Sequence, residues 1–126
     1  MSGVTYDSGA LIAAGRNDRR MWLLHRRLLE RGQTPTVPAG VLGQTWRGGP
    51  QPLLSRLLAG CQVEDLTEGL AQRAGALLGA ADRPDVIDAS VVVSALARRD
   101  AVFTSDRGDL EGLAKAATHH LDIEDV

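Results

Sequence analysis

The strongest structural signal in the chain is the segment DVIDASVVVSALARRDAVFT, residues 85–104. It is apolar almost throughout Val86–Ala97, and we predict a buried helix over Asp85–Arg99 because about 15 residues exceed the length of a typical strand. The run Val91–Val93 taken alone would suit a strand equally well. Ala101–Thr104 follows at once as a short apolar strand. A buried helix that leads directly into a buried strand is typical of an α/β fold.

The same alternation extends along the rest of the chain. A first strand is predicted from Val4 to near Asp7, others at Thr34–Val37 and Cys61–Asp65, and an edge strand around Leu121 and Ile123. The remaining helical segments are predicted at Ala10–Ala14, Asp18–Arg31, Pro38–Trp46, Pro52–Ala59, Thr67–Leu78 and Ser105–Ala117. Strands that alternate with helices imply an α/β sandwich around a mostly parallel sheet.

Two of these helices carry local predictions about single residues. Pro38 should start its helix, because its missing N–H would be unpaired in the first turn anyway. In Asp18–Arg31 the helical period predicts an inward face made of Met21, Trp22, Leu24, Leu28 and Leu29.

Length and composition narrow the class of protein. The 126 residues predict a single domain, 1–126, with 44% apolar residues to fill its core. A net charge of −2 argues against holding duplex DNA by bulk electrostatics, although 13 of the 14 basic residues are arginine. The one cysteine, Cys61, cannot form an internal disulfide, and no signal segment or long apolar run is present. We therefore expect a cytoplasmic protein with no membrane segment.

Several aspartates fall where a functional cleft is expected. Asp7 and Asp106 follow predicted strands, and functional crevices in parallel sheets lie beyond the carboxyl ends of the strands. Asp88 shares a helix face with apolar residues, and Asp109 stands three residues after Asp106. Helix capping is the alternative role for Asp85, Asp88 and Asp106, and for Asp7 it is acceptance of backbone N–H groups at the next turn. We favour capping for Asp85 and a functional role for the other carboxylates.

Converging carboxylates repel one another and raise one another's pKa. A divalent cation would offset that repulsion, and hard oxygen ligands select Mg²⁺ or Mn²⁺ over zinc. Such a site suits metal-assisted attack on a phosphodiester.

Three stretches of the chain then show a family resemblance: YDS at 6–8, DASVVVSA at 88–95 and TSDRGDL at 104–110. In their order and spacing they resemble the PIN-domain ribonucleases, and among these the VapC-type toxins of bacterial toxin–antitoxin pairs. The resemblance implies a three-layer α/β/α sandwich and Mg²⁺- or Mn²⁺-dependent cleavage of single-stranded RNA. It also implies a homodimer and inhibition by a VapB-like antitoxin.

The resemblance assigns roles to individual residues. Asp7, Asp88 and Asp106 match the family's first, third and fourth acidic positions, and Asp109 matches an additional acidic position found in many members. Thr104 matches a hydroxyl residue that would orient a neighbouring carboxylate. The remaining match is Ser8, a small polar residue beside the first aspartate.

One position departs from the family pattern. The second acidic position is usually a glutamate, but this chain has Gln44 there. An amide oxygen can coordinate a cation or hold a metal-bound water, yet it supplies no charge and no base. We therefore predict one well-bound metal and a second that binds poorly, and we keep open a catalytically silent PIN-like module that binds RNA or protein.

Arginines are the remaining candidates for contact with RNA. Arg16, Arg19 and Arg47 could hold phosphates bidentately, although a solvated helix face is the simpler reading. A phosphatase or phosphoacceptor domain with Asp7 as nucleophile is disfavoured, because a second carboxylate two residues later is missing.

Overall fold

A five-stranded parallel sheet forms the centre of the computed structural model, which describes residues 3–126. Its strands are β1 (Val4–Tyr6), β2 (Thr36–Pro38), β3 (Gln62–Glu64), β4 (Ala101–Thr104) and β5 (Ile123–Asp125). Their order across the sheet is β3-β2-β1-β4-β5, and each neighbouring pair in the described part of the chain is parallel. The prediction of a mostly parallel sheet is confirmed.

Helices cover both faces of this sheet. They are α1 (Ser8–Gly15), α2 (Arg19–Glu30), α3 (Ala39–Thr45), α4 (Pro52–Ala59), α5 (Glu68–Ala81), α6 (Val86–Arg98) and α7 (Arg107–Ala116). Helix α1 contacts α2 and α4, whereas α5, α6 and α7 contact one another. Tyr6 reaches α2 and its neighbour Thr5 reaches the end of α6, because successive strand side chains point to opposite faces. The predicted three-layer α/β/α sandwich is confirmed.

The valines Val91–Val93, which would also suit a strand, lie in helix α6. The side chain of Asp85 caps it by accepting the N–H groups of Ile87 and Asp88 at 2.9 and 3.0 Å, as the capping role predicted. The helix ends at Arg98, and the next residue, Arg99, has a positive φ of 58°. Val91 and Val92 are fully buried between these ends, so the segment is the core helix predicted from its length. None of the helices within residues 3–126 is long and apolar enough to cross a membrane.

The predicted inward face of α2 is wrong at one position. Leu29 is 41% exposed, whereas the buried stripe runs through Met21, His25 and Leu28. These three follow the helical period closely, and Leu29 lies beside the stripe. A histidine can be buried here because its Nδ1 forms a hydrogen bond with the Tyr6 hydroxyl at 2.8 Å. Burial lowers the pKa of His25, which favours its neutral form.

The start of α3 also differs from expectation. Pro38 is the last residue of β2, with extended ψ of 138°, and α3 begins only at Ala39. Proline brings no N–H to a strand ladder, so it suits the final residue of a strand as well as the first turn of a helix.

A partly buried ionic network ties β1 and β3 to the end of α6. Arg98 pairs with Glu64 and, at 2.9 Å, with Asp100, and it also donates to the Thr5 hydroxyl at 2.8 Å. Thr5 in turn donates to Asp100 at 2.8 Å, and Ser94 donates to Glu64. Each charge of the network therefore has an opposite charge and hydrogen bonds, which makes its burial tolerable.

Candidate metal centre

The ends of the adjacent strands β1 and β4 bring Asp7 beside Thr104. Tyr6 is in register with Phe103, and the N–H of Asp7 donates to the Phe103 carbonyl at 3.0 Å. The Thr104 hydroxyl donates to Oδ2 of Asp7 at 2.8 Å and accepts the N–H of Asp106 at 2.9 Å. The contact between Thr104 and a neighbouring carboxylate is thus present, and one hydroxyl links two of the predicted site residues.

Asp7 is a buried carboxylate with an unpartnered oxygen. The residue is 2% exposed, and its Oδ1 has no hydrogen-bond partner. It occupies the position before α1, but its side chain does not cap that helix, so acceptance of backbone N–H groups is not its role. Asp106 likewise precedes α7 without a side-chain cap bond. By contrast, Asp18 caps α2, so both cleft carboxylates stand where caps usually do without acting as caps.

Gly9 allows α1 to pack against the turn after β4. A Cβ at position 9 would lie 2.5 Å from the backbone nitrogen of Ser105 and 2.8 Å from its Cβ. Ser105 stands between Thr104 and Asp106. Only a residue without a side chain permits this approach, which brings the start of α1 close to the start of α7.

The repulsion among the carboxylates has its clearest effect at Asp88, in the first turn of α6. Burial, followed by the charges of Asp85, Asp7, Asp109 and Asp106, raises the pKa of Asp88 to about 7. Like charges disfavour ionisation only when they are near, so these carboxylates share one region. The structure therefore brings Asp7, Asp88, Asp106 and Asp109 together in electrostatic terms.

Asp106 and Asp109 lie at the exposed rim of this region. Partial desolvation and the neighbouring Asp109 carboxyl, which hydrogen-bonds it, raise the pKa of Asp106. Asp109 itself forms an ion pair with Arg83, whose Nη1 lies 3.2 Å from Oδ1. The rim thus contains a cation as well as carboxylates.

Gln44 carries the second unpartnered oxygen. Its Oε1 is shielded from solvent and has no hydrogen-bond partner. It lies one turn after Gly40 on the same face of α3, and a Cβ on Gly40 would lie 3.2 Å from Ile87, the residue before Asp88. Within residues 3–126, the two buried oxygens that lack a partner belong to Asp7 and Gln44, both predicted site residues.

The oxygens of these residues fit a cation that prefers oxygen ligands. The donor set consists of carboxylate and amide oxygens, which suit Mg²⁺ or Mn²⁺. Across the part of the chain that the structure describes, no three acidic, histidine or cysteine side chains converge closely enough to enclose an ion directly. Mg²⁺ usually retains several waters and binds few carboxylates, so the arrangement fits a hydrated ion.

The other predicted residues lie at various distances from the cluster. Ser8 is the first residue of α1, half-buried beside Asp7. Arg16 follows the opposite end of α1, roughly 13 Å along the helix from Asp7 at 1.5 Å per residue. Arg19 lines a groove on α2, and Arg47 donates to the carbonyl of its neighbour Trp46 at 3.0 Å. The structure does not bring Arg16 to the carboxylates.

Residues that shape the cluster were missed by the sequence analysis. Gly9 carried no signal, because glycine in a helix gives no indication of what lies opposite. Arg83 stands before Pro84, between the predicted helices Thr67–Leu78 and Asp85–Arg99, where an arginine is ordinarily solvated. Its proximity to Asp109 depends on the packing of α5 and α6 against α7, which no local pattern encodes.

The fold has a counterpart among solved structures. A chain in the crystal structure of VapBC2 from Rickettsia felis, bound to a DNA fragment from its promoter, matches with a TM-score of 0.73. The match covers 98% of each chain at 14% sequence identity, so the likeness concerns the fold. No protein-family model matches the chain, and no curated protein matches it significantly.

Proposed function

We propose that this protein is a Mg²⁺- or Mn²⁺-dependent endoribonuclease of the PIN-domain type that hydrolyses single-stranded RNA as the toxin of a toxin–antitoxin pair. Two observations carry the proposal: the buried, unpartnered side-chain oxygens of Asp7 and Gln44, and the like charges that act on Asp88. Buried acceptors without partners are costly, and a hydrated cation would satisfy both oxygens while offsetting the repulsion. The sandwich fold shared with a VapBC2 chain is consistent with this function.

Each residue of the cluster has a proposed role. Asp7, Asp88 and Asp106 hold the cation directly or through water, with Asp109 assisting, and Gln44 orients a ligand water. When bound, the cation would polarise the phosphodiester and make a water nucleophilic near neutral pH. Thr104 keeps Asp7 in place through the hydrogen bond at 2.8 Å.

The proposed partner is a VapB-like antitoxin, and a groove on α2 and α4 suits an acidic amphipathic helix. The groove encloses about 860 Å³. Apolar side chains and arginines line it together: Trp22, Leu23, Leu29, Arg19, Arg26 and Arg56. Arg56 also stacks over the Trp22 ring, with its guanidinium carbon 5.1 Å from the ring centroid. A lining that combines apolar side chains with arginines is complementary to a helix that has one apolar and one acidic face.

Charge reversal tests this surface. Arg26→Glu and Arg56→Glu should weaken binding of an acidic amphipathic antitoxin helix, while Arg73→Glu, at an exposed position of α5, should not. Equal binding by all variants would contradict the proposed surface. Homodimerisation is proposed from the family resemblance and is tested by sedimentation of the purified protein.

Nuclease activity is tested with protein purified free of antitoxin. We expect Mn²⁺ to stimulate cleavage of single-stranded RNA and Asp7→Asn to lower the rate by roughly 100-fold or more, since metal-site stabilisation contributes several kcal/mol. Cleavage retained by Asp7→Asn would contradict the assignment. RNA binding with no Mn²⁺-dependent cleavage would instead favour the silent binding module, for which the uncharged Gln44 is the motivating observation.

A further inference from the structure

Arg83 is a fixed cation at the edge of the carboxylate cluster. It lies in the turn between α5 and α6, and its Nη1 pairs with Oδ1 of Asp109 at 3.2 Å. Its guanidinium rests on Gly112, where a Cβ would lie 2.5 Å from Nη2. Asp109 and Gly112 are three residues apart, so they present a carboxylate and a bare stretch of backbone on one face of α7.

Asp109 belongs to the same charge field as the buried carboxylates. Its charge acts on Asp88 and on Asp106. Asp7, by contrast, is buried, and its Oδ1 has no hydrogen-bond partner. Arg83 therefore pairs with one carboxylate at the exposed rim, whereas Asp7, Asp88 and Asp106 form no ion pair within residues 3–126.

We propose that Arg83 is a resident counter-cation that competes with a divalent cation for Asp109, and so restricts the cluster to one tightly held metal. The inference rests on the proposed function, because it concerns how that same site takes up its metal. The ion pair places the positive charge of Arg83 beside the Asp109 carboxylate. That charge repels a divalent cation and so weakens its binding to Asp109. Arg83 is thus a positioning residue that acts through Asp109.

The expected effect is modest. The two side chains are 40% and 54% exposed, and exposed ion pairs are weak. Freeing Asp109 should tighten binding of the second Mn²⁺ by roughly two- to fivefold. An effect of this size is within reach of calorimetric titration.

Three variants separate the charge of Arg83 from its position. Arg83→Gln removes the cation. Gly112→Ala leaves the cation but displaces it, because the new Cβ meets the far end of a flexible side chain while alanine favours the helix. Arg73→Gln, at an exposed position of α5, is the control for the loss of one positive charge.

Mn²⁺ titration of the metal-free protein is the test, with thermal unfolding to confirm that each variant is folded. We expect tighter binding by Arg83→Gln and Gly112→Ala, and unchanged binding by Arg73→Gln. If the wild type binds Mn²⁺ and Arg83→Gln binds it equally or more weakly, the inference is wrong and the proposed metal site stands. If Asp88→Asn binds Mn²⁺ as well as the wild type does, the metal site itself is wrong and the inference fails with it.

Discussion

Oγ1 of Thr104 lies 2.8 Å from Oδ2 of Asp7, and the same oxygen accepts the N–H of Asp106 at 2.9 Å. A single side chain therefore sets the distance between the end of β1 and the start of α7. Thr104 is fully buried, so solvent cannot replace either hydrogen bond. The position of the cluster depends on this hydroxyl.

Replacing the hydroxyl of Thr104 should impair both stability and cleavage. Thr104→Val keeps the side-chain shape but leaves Asp7 and the N–H of Asp106 without this partner, so we expect a loss of roughly 1–3 kcal/mol in the free energy of unfolding. Loss of an orienting partner in a metal site typically costs about 10- to 100-fold in activity. Urea unfolding and RNA cleavage assays measure the two effects.

Thr104→Ser is the matched control, since it keeps the hydroxyl and loses only a buried methyl group. Its cleavage rate should stay within a few fold of the wild type. If Thr104→Val cleaves as fast as Thr104→Ser, the hydroxyl does not orient the site.

Adding a methyl group at Gly9 should disturb the cluster. In Gly9→Ala the new Cβ would lie 2.5 Å from the backbone nitrogen of Ser105, and a backbone atom cannot move aside as a flexible side chain can. We expect destabilisation of roughly 1–3 kcal/mol, as for other overpacked sites. Gly15→Ala, on the same helix with nothing within 4 Å, should be neutral or stabilising by up to about 1 kcal/mol. Equal unfolding midpoints for the two variants would contradict the close approach.

Asp88 should make the metal-free protein less stable at alkaline than at acidic pH. Its pKa is raised from 3.8 to about 7, so between these values the folded protein holds a proton that the unfolded chain has released. The stability that this proton confers is complete below the unfolded pKa and is lost as pH rises through 7.

Asp88→Asn removes this dependence. The variant should melt at a higher temperature than the wild type at pH 8 without metal, and the difference should shrink towards pH 5. Thermal unfolding across this range measures it. A difference that grows on acidification would show that Asp88 is stabilised in its charged form.

Restoring a carboxylate at position 44 should improve binding of a second metal. Gln44→Glu places a charge where the buried Oε1 now lacks a partner, so we expect tighter binding of a second Mn²⁺ and a less stable metal-free protein. Mn²⁺ titration counts the sites. Two tight, equivalent sites in the wild type would contradict the role given to Gln44.

The layers of the fold were predictable because buried segments are recognisable in the sequence as apolar runs. Segment 86–98 is almost entirely apolar and longer than a typical strand, which predicts a core helix, and the short apolar run Ala101–Thr104 predicts the strand that follows it. Single positions were less predictable. His25 is buried and Leu29 is exposed. The hydrogen bond between His25 and the distant Tyr6 stabilises this arrangement, and no local pattern predicts it.

The convergence of the carboxylates was predictable from topology, because the ends of adjacent parallel strands meet at one edge. The opposing charges were not. Arg83 reaches Asp109 over 26 positions, and Arg98 reaches Glu64 over 34, through packing that brings separate helices and strands together. Such pairs have no spacing rule, so their partners are visible only in three dimensions.

The hydrogen bond from the amide of Asp7 to the carbonyl of Phe103 ties the residue after β1, the central strand of the sheet, to the neighbouring strand β4. Central strands are usually the last part of a domain to open. The amide proton of Asp7 should therefore exchange with solvent only when the whole molecule unfolds. A cell that degrades the unfolded chain would then remove the site and the fold in one event, with no partly opened form that retains an intact cluster.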